Sequence, residues 1–298
     1  MERHTAPARL VRKMAIAHDD SRLTDRDGLA RALGEAARRT AAVLLAKRAA
    51  RDVKLKADGS PVCSADLAAD FAAKQALAEL LPGFPVISEE SVGEIAPAEV
   101  FILLDPLDGT REFLASGDSY CVAIAVIWNG RPLAGAIAAP ALGRLWFGGA
   151  RCFAQTLDDE AKPLGAPRQV HVRCEPEDGP LMLVSRFHGD TVSAGVAAAI
   201  AKGDGAPVSS AVKFGLIASG EADLHVRGGP TMEWDIAAGD VILAAAGGVV
   251  LTLDGEKPAY GKAERDFRNP PFVAASCERL ARLAIEKAKA CRAETCRA

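Results

Sequence analysis

The sequence predicts a layered α/β protein whose first half is α+β and whose second half alternates strand and helix. Three observations carry this. Two stretches near the start place apolar residues at helical spacing: Leu29, Leu33, Ala36, Ala37, Leu44 and Leu45, then Leu67, Phe71, Leu77 and Leu80. A series of short apolar runs separated by turn residues follows, as expected of strands. Past residue 180, runs of strand length alternate with helical ones.

Thr24-Asp25-Arg26-Asp27 is the expected start of the first helix. Ser64 is the expected N-cap of the second, which sets Asp66 in a first turn where the macrodipole favours negative charge. Strands are expected over 85–88, 100–104, 121–128, 134–138 and 145–147. Residues 158–168, with Lys162-Pro163 and Ala166-Pro167, read as the loop between halves of 27–165 and 166–298. In the second half strands are expected over 181–184, 207–209, 222–226 and 249–253. Helices are expected over 190–202, 212–219 and 235–246, the last stopped by Gly247-Gly248. Residues 1–26 carry scattered arginines and no continuous apolar core, so a disordered extension is expected there, not a secretory signal.

At 298 residues, 49% apolar and 25% charged, the chain has an ordinary globular composition. A net charge of −3 gives no basic field for a nucleic acid polymer, so an anionic ligand must be met by locally placed cations or metals. The seven cysteines are odd in number and contain no C-x-x-C, which argues against a zinc site or a disulfide framework. Cys121 reads as a small hydrophobe, while Cys291 and Cys296 are expected in a polar C-terminal tail. No apolar run reaches the ~18–20 residues of a membrane span. A cytoplasmic compartment is expected, with the periphery of the inner membrane as the alternative.

The most informative stretch is Leu103-Leu104-Asp105-Pro106-Leu107-Asp108-Gly109-Thr110. Two aspartates stand three apart at the end of an apolar strand, where α/β proteins place ligands. Acidic Ser88-Glu89-Glu90 lies upstream and Glu233-Trp234-Asp235 far downstream. Clustered carboxylates raise one another's pKa, a penalty that a hard divalent cation removes. Mg²⁺ takes oxygen ligands and shares them with substrate phosphate, so these residues indicate a magnesium-dependent phosphate site. Gly109 admits close approach of a phosphate to the backbone, and Gly109-Thr110 opens a helical turn with free N–H groups.

These motifs, with Trp234-Asp235-Ile236-Ala237-Ala238-Gly239, resemble the inositol monophosphatase superfamily of lithium-sensitive, magnesium-dependent phosphatases. Gly109-Thr110-Arg111-Glu112-Phe113 is similar to the G-T-[KR]-E-F of its CysQ-type 3′(2′),5′-bisphosphate nucleotidase branch. Lys56-Ala57-Asp58-Gly59-Ser60-Pro61-Val62, Val184-Ser185-Arg186-Phe187-His188 and Ser209-Ser210-Ala211-Val212-Lys213-Phe214 look like the same branch. The resemblance runs from about Leu29 to Ala275 and implies a five-layer αβαβα sandwich.

It implies two or three Mg²⁺ on Glu89, Asp105, Asp108, Asp235 and the Leu107 carbonyl, with Glu90 in support. Thr110 and Asp66 would orient and deprotonate the attacking water, with Glu89 beside them. Gly109, Thr110, Arg186, His188 and Lys213 would bind a small nucleotide bisphosphate. The implied reaction releases the 3′-phosphate of adenosine 3′,5′-bisphosphate, or of its sulfated form. An inositol or sugar-phosphate phosphatase is the second reading and a silent nucleotide sensor the third. Cys63 departs from the family, which commonly has Thr there; a thiol is the weaker donor. Arg111 is a candidate partner for Glu112, and Gly228-Gly229-Pro230-Thr231 a candidate wall for adenine.

Overall fold

The computed structural model describes residues 21–49, 52–55, 61–92, 97–173 and 179–295. Most of the expected N-terminal extension, the Lys56–Ser60 part of one motif, Cys174 and Cys296 lie outside the described residues. The described chain opens on a short turn that buries Leu23, and Asp25 caps the first helix by accepting from Gly28 N–H.

The first half contains α1 (Arg26–Ala46), an antiparallel pair β1 (Val53–Leu55) and β2 (Pro61–Cys63), α2 (Ser64–Leu80), β3 (Val86–Ser88) and β4 (Val100–Asp108). Then come α3 (Thr110–Leu114), β5 (Cys121–Trp128), β6 (Arg131–Ala139), β7 (Arg144–Gly148), β8 (Cys152–Leu157) and β9 (Pro163–Gln169). Strands β3 to β9 lie in chain order as one seven-stranded sheet. The β3–β4 pair is parallel and the rest are antiparallel.

The second half contains β10 (Met182–Val184), α4 (Thr191–Ile200), β11 (Ala206–Pro207), α5 (Val212–Ala218), β12 (Leu224–Arg227) and β13 (Thr231–Met232). After them come α6 (Glu233–Ala245), β14 (Val249–Thr252), β15 (Arg268–Asn269), β16 (Phe272–Ala275) and α7 (Glu278–Thr295). The second sheet has the order β11-β10-β12-β16-β14, and β13 pairs with β15.

Side chains alternate faces along a strand, and this sorts the apolar residues into three cores. Ile102 and Leu104 of β4 meet α1 and α2 through Leu33, Leu44 and Leu77. Phe101 and Leu103 point the other way, into a core with Phe214 of α5, Ile242 of α6 and Ala274 of the second sheet. The far face of that sheet is covered by α4 and α7 through Val196, Val273 and Ile285. The layers are therefore α1α2, sheet, α5α6, sheet, α4α7: the five-layer αβαβα sandwich.

Three local expectations need correction. The N-cap of α2 is Cys63, and Ser64 is the first helical residue, its hydroxyl donating to Asp52 Oδ1 at 2.7 Å. The expected loop 158–168 contains most of β9. All seven residues of β9 are exposed, and an edge strand tolerates Pro163 and Pro167 because one side of its backbone has no ladder to complete. Cys291 lies in α7, half-buried, and not in a loose tail; a Cβ added at Gly195 of α4 would meet its Sγ at 2.4 Å.

Candidate active site

The carboxyl ends of β3 and β4 and the N-terminus of α6 meet at a cavity of about 370 Å³. Strand β4 continues past its expected end at Leu104 through Asp108, and its pairing with β5 slips between Asp105 and Asp108. Asp105 pairs with Ala123 and Asp108 with Cys121, so β4 has one more residue than its partner there. In a regular strand, residues three apart face opposite sides. The extra residue of the bulge turns both aspartates to one side, the side facing α6, and Pro106 is accommodated because the ladder is already broken. Glu89 enters from the adjacent strand end, since Ser88 of β3 pairs with Leu104.

The turn that carries Glu89 is fixed from α2. The buried Ser88 hydroxyl donates to Asp70 Oδ1 at 2.5 Å, and Lys74 Nζ donates to Asp70 Oδ2 at 2.6 Å and to Ser91 Oγ at 2.8 Å. Glu90 donates its backbone N–H to Ser88 Oγ at 3.3 Å.

Asp66 and Asp235 occupy the same local position on different helices. Each is the third residue of its helix and reaches back to the capping N–H: Asp66 Oδ2 accepts from Cys63 N–H at 2.8 Å, and Asp235 Oδ2 from Met232 N–H at 2.7 Å. The Cys63 thiol donates to the same Asp66 oxygen at 2.9 Å, so the departure from threonine leaves that contact made. Burial and Asp66 push this thiol up to about 11, which keeps it protonated as a donor. Asp66 Oδ1 accepts from Thr110 Oγ1 at 3.0 Å, and the same hydroxyl lies 3.3 Å from the Leu107 carbonyl.

Asp105, Asp108 and Asp235 are all held above the usual carboxylate range, mainly by burial. Glu89 pushes all three further; Asp108 adds to the effect on Asp105 and Asp235. Asp108 rises to about 6, less than burial alone would give, because Lys213 and the Ala211 N–H oppose the shift. One oxygen of each aspartate accepts a backbone N–H: Asp105 Oδ1 from Leu107, Asp108 Oδ2 from Ala211 and Asp235 Oδ2 from Met232. The second oxygen of each remains for a ligand.

Among the described residues, no three of His, Cys, Asp and Glu are already closed around one point as a metal cage. The clustered carboxylates raise one another's pKa, a penalty that a bound cation would remove. Their chemistry fits one: the donors are oxygens, the set for a hard divalent cation and not for zinc or copper.

The same cavity is also lined by cations. Lys213 is buried, and its Nζ donates to the carbonyls of Val208 at 3.1 Å and Ser210 at 2.7 Å. An ammonium has three donors, so one remains. Burial lowers Lys213 to about 8, with Asp108 opposing. Arg227, at the end of β12, donates to the carbonyls of His188 and Pro230, while its buried Nε has no partner among the described residues. His188 is lowered first by burial and then by Arg227, Arg111 and Lys213, and is neutral at pH 7.

Most of the expected site residues line the cavity: Glu89, Asp105, Leu107, Asp108, Gly109, Thr110, His188, Lys213 and Asp235. Asp66 sits behind Thr110. Gly109 has φ +95°, a left-handed conformation that favours glycine, and a Cβ there would make a tight 3.3 Å contact with the Tyr120 backbone. Arg186 is the exception. Its guanidinium donates to Glu112 Oε1 at 2.8 Å, so Arg186, not Arg111, is the partner of Glu112. Pro230, Thr231 and Trp234 line the cavity, and Trp234 also packs on Phe267. Arg227, Arg268 and Phe187 were not expected there. The rule that identified Asp105, a charged residue ending an apolar strand, also singles out Arg227.

The model of the inositol monophosphatase family matches residues 22–293. The 3′(2′),5′-bisphosphate nucleotidase CysQ of Escherichia coli K12 is 36% identical over 225 residues, covering 74% of this chain and 87% of that protein. CysQ of Buchnera aphidicola is 33% identical, covering 76% and 84%. Among solved structures, CysQ from Bacteroides thetaiotaomicron superposes with a TM-score of 0.68 at 29% identity, covering 85% and 98%. An inositol monophosphatase from Zymomonas mobilis reaches 0.69 at 23% identity, covering 89% and 99%, a likeness of fold.

Proposed function

The chain belongs to the inositol monophosphatase family, and within it we propose a bisphosphate nucleotidase that removes the 3′-phosphate of adenosine 3′,5′-bisphosphate, leaving AMP and phosphate. The observation that carries this reading is the meeting, in one cavity, of all-oxygen acidic groups with buried Lys213 and partly buried Arg227. The first suits a metal-assisted phosphoryl reaction and the second a further anionic group on the same substrate.

Glu89, Asp105, Asp108, Asp235 and the Leu107 carbonyl would hold two or three Mg²⁺. When bound, Mg²⁺ makes water more acidic and offsets the charge of the phosphoryl group. The chain's own residues do the rest. Thr110 Oγ1 accepts a proton from the attacking water as it passes its own to Asp66 Oδ1, along the 3.0 Å hydrogen bond already present. The Cys63 N–H and thiol fix Asp66 Oδ2, so Oδ1 keeps its aim. Water adds to phosphorus opposite O3′; the P–O3′ bond breaks, and O3′ leaves with a proton from solvent. Backbone N–H groups at the start of α3 lack intrahelical acceptors and serve the phosphoryl oxygens. The remaining donor of Lys213 and the guanidinium of Arg227 meet the 5′-phosphate.

The test is product identity. Incubation with adenosine 3′,5′-bisphosphate and Mg²⁺, followed by chromatography, should yield the 5′-monophosphate and free phosphate, and EDTA should stop it. Adenosine 3′-monophosphate as product would reverse the assigned orientation. No product at all would refute the reading.

A further inference from the structure

Glu112 is fully buried at the centre of α3, two residues past Thr110, yet it has no role in the reaction as described. Its carboxylate joins three separate segments. Oε1 accepts from Arg186 Nη1 at 2.8 Å, and Oε2 accepts from Ser209 Oγ at 2.8 Å. Arg186 follows β10 and Ser209 precedes α5, so both partners come from the second half of the chain. Space is kept for the carboxylate by Gly117, where a Cβ would lie 2.0 Å from Glu112 Oε1.

What these partners carry gives the contact its meaning. Ser185, Phe187 and His188 line the cavity while Arg186 does not, so Arg186 is the outward tether of an inward-facing strap. The strap has a second tether at the His188 carbonyl, which accepts from Arg227. Ser209 adjoins Ser210, whose carbonyl accepts from Lys213. One carboxylate thus sets the distance between the Thr110 side of the cavity and the two segments bearing Phe187, His188 and Lys213. Glu112 is buried and Arg186 partly exposed, and parting them would leave an uncompensated buried charge, so the contact holds the strap in place.

We propose that Glu112 is a positioning residue for substrate selection: through Arg186 and Ser209 it holds the cavity walls at the separation that fits a nucleoside carrying a second phosphate. This rests on the nucleotidase reading above. Without the pair, the strap and Ser209 turn relax, contacts to the second phosphate weaken, and the Thr110–Asp66 chemistry is retained.

The test uses the full chain, with adenosine 3′,5′-bisphosphate and adenosine 3′-monophosphate as substrates. Wild-type preference for the bisphosphate is measured first; its absence would refute the nucleotidase reading itself, separately from the role of Glu112. Given that preference, Glu112→Gln should raise KM for the bisphosphate about tenfold or more with a much smaller change in kcat. Selectivity over the monophosphate should fall by a similar factor. Arg186→Gln, at the exposed end of the pair, should do the same, and the double variant should be no worse than the worse single one because both remove one interaction. Should Glu112→Gln fail to fold, Arg186→Gln decides the matter alone. An equal loss of kcat on both substrates, or wild-type selectivity in Arg186→Gln, would overturn the proposal.

Discussion

The two walls of the cavity handle buried charge in opposite ways. On the acidic side, Asp105, Asp108 and Asp235 each receive one backbone N–H; the repulsion at Asp105 and Asp235 stands largely uncompensated, while Lys213 opposes it at Asp108. On the cationic side, Lys213 and Arg227 are tied to backbone carbonyls, which are neutral, so their charge is solvated but not cancelled. The two sides offset one another only in part, chiefly through Lys213 and Asp108. On the proposed reading, divalent cations would complete the first and a phosphate the second. That reading assigns chemistry to one side and selection to the other, and substitutions should separate along that line.

The largest effect belongs to the acidic side. Asp66→Asn removes the carboxylate that takes the proton from Thr110 and should lower kcat by about 10²–10⁴ while KM changes little, the usual scale for a positioned base. Steady-state phosphate release measures it, and near-normal turnover would break the division of labour. Next is Arg227→Gln, which should raise KM for the bisphosphate about 10- to 100-fold at nearly constant kcat, the worth of a charge-assisted hydrogen bond of ~1.5–3 kcal/mol. A matching fall in kcat would place Arg227 in the chemistry instead.

A smaller effect tests the strain itself. Asp105→Asn removes one of the repelling buried charges, so the metal-free protein should melt about 2–4 °C higher, or roughly 1 kcal/mol more stable, while Mg²⁺ no longer raises its Tm. A lower Tm without metal would show that the carboxylate supports the fold. The smallest effect separates burial from clustering. Asp240, also on α6, is raised to about 6 by burial, opposed by the Tyr260 hydroxyl that donates to it at 2.8 Å. Its folded pKa lies above its ordinary value, so its stabilising contribution is present below about pH 4 and is lost as pH rises through about 6. Asp240→Asn should therefore gain on wild type in Tm between pH 4 and 7, without touching activity; parallel curves would contradict this.

Much of the acidic side is legible in the sequence because its signals are local. Asp105 and Asp108 end an apolar run, and Asp66 and Asp235 stand in helix first turns. What the local pattern does not show is the bulge that turns Asp105 and Asp108 to one side, since it depends on the register with β5. The cationic side is less legible because its contacts are long-range: Arg186 meets a glutamate 74 positions earlier, and Arg227 meets His188 across 39. A charge whose partner is distant looks like any surface arginine. Strand β9 was hidden for a related reason, its prolines and exposed residues reading as a loop while pairing with β8 makes it an edge.

The most direct test of the central claim is the ratio of kcat/KM for adenosine 3′,5′-bisphosphate to that for inositol 1-phosphate, measured with Mg²⁺, with EDTA and with added Li⁺. Strong preference for the nucleotide is predicted, abolished by EDTA and suppressed by Li⁺. Equal rates, or preference for the inositol ester, would contradict it, because the cationic wall would then select nothing.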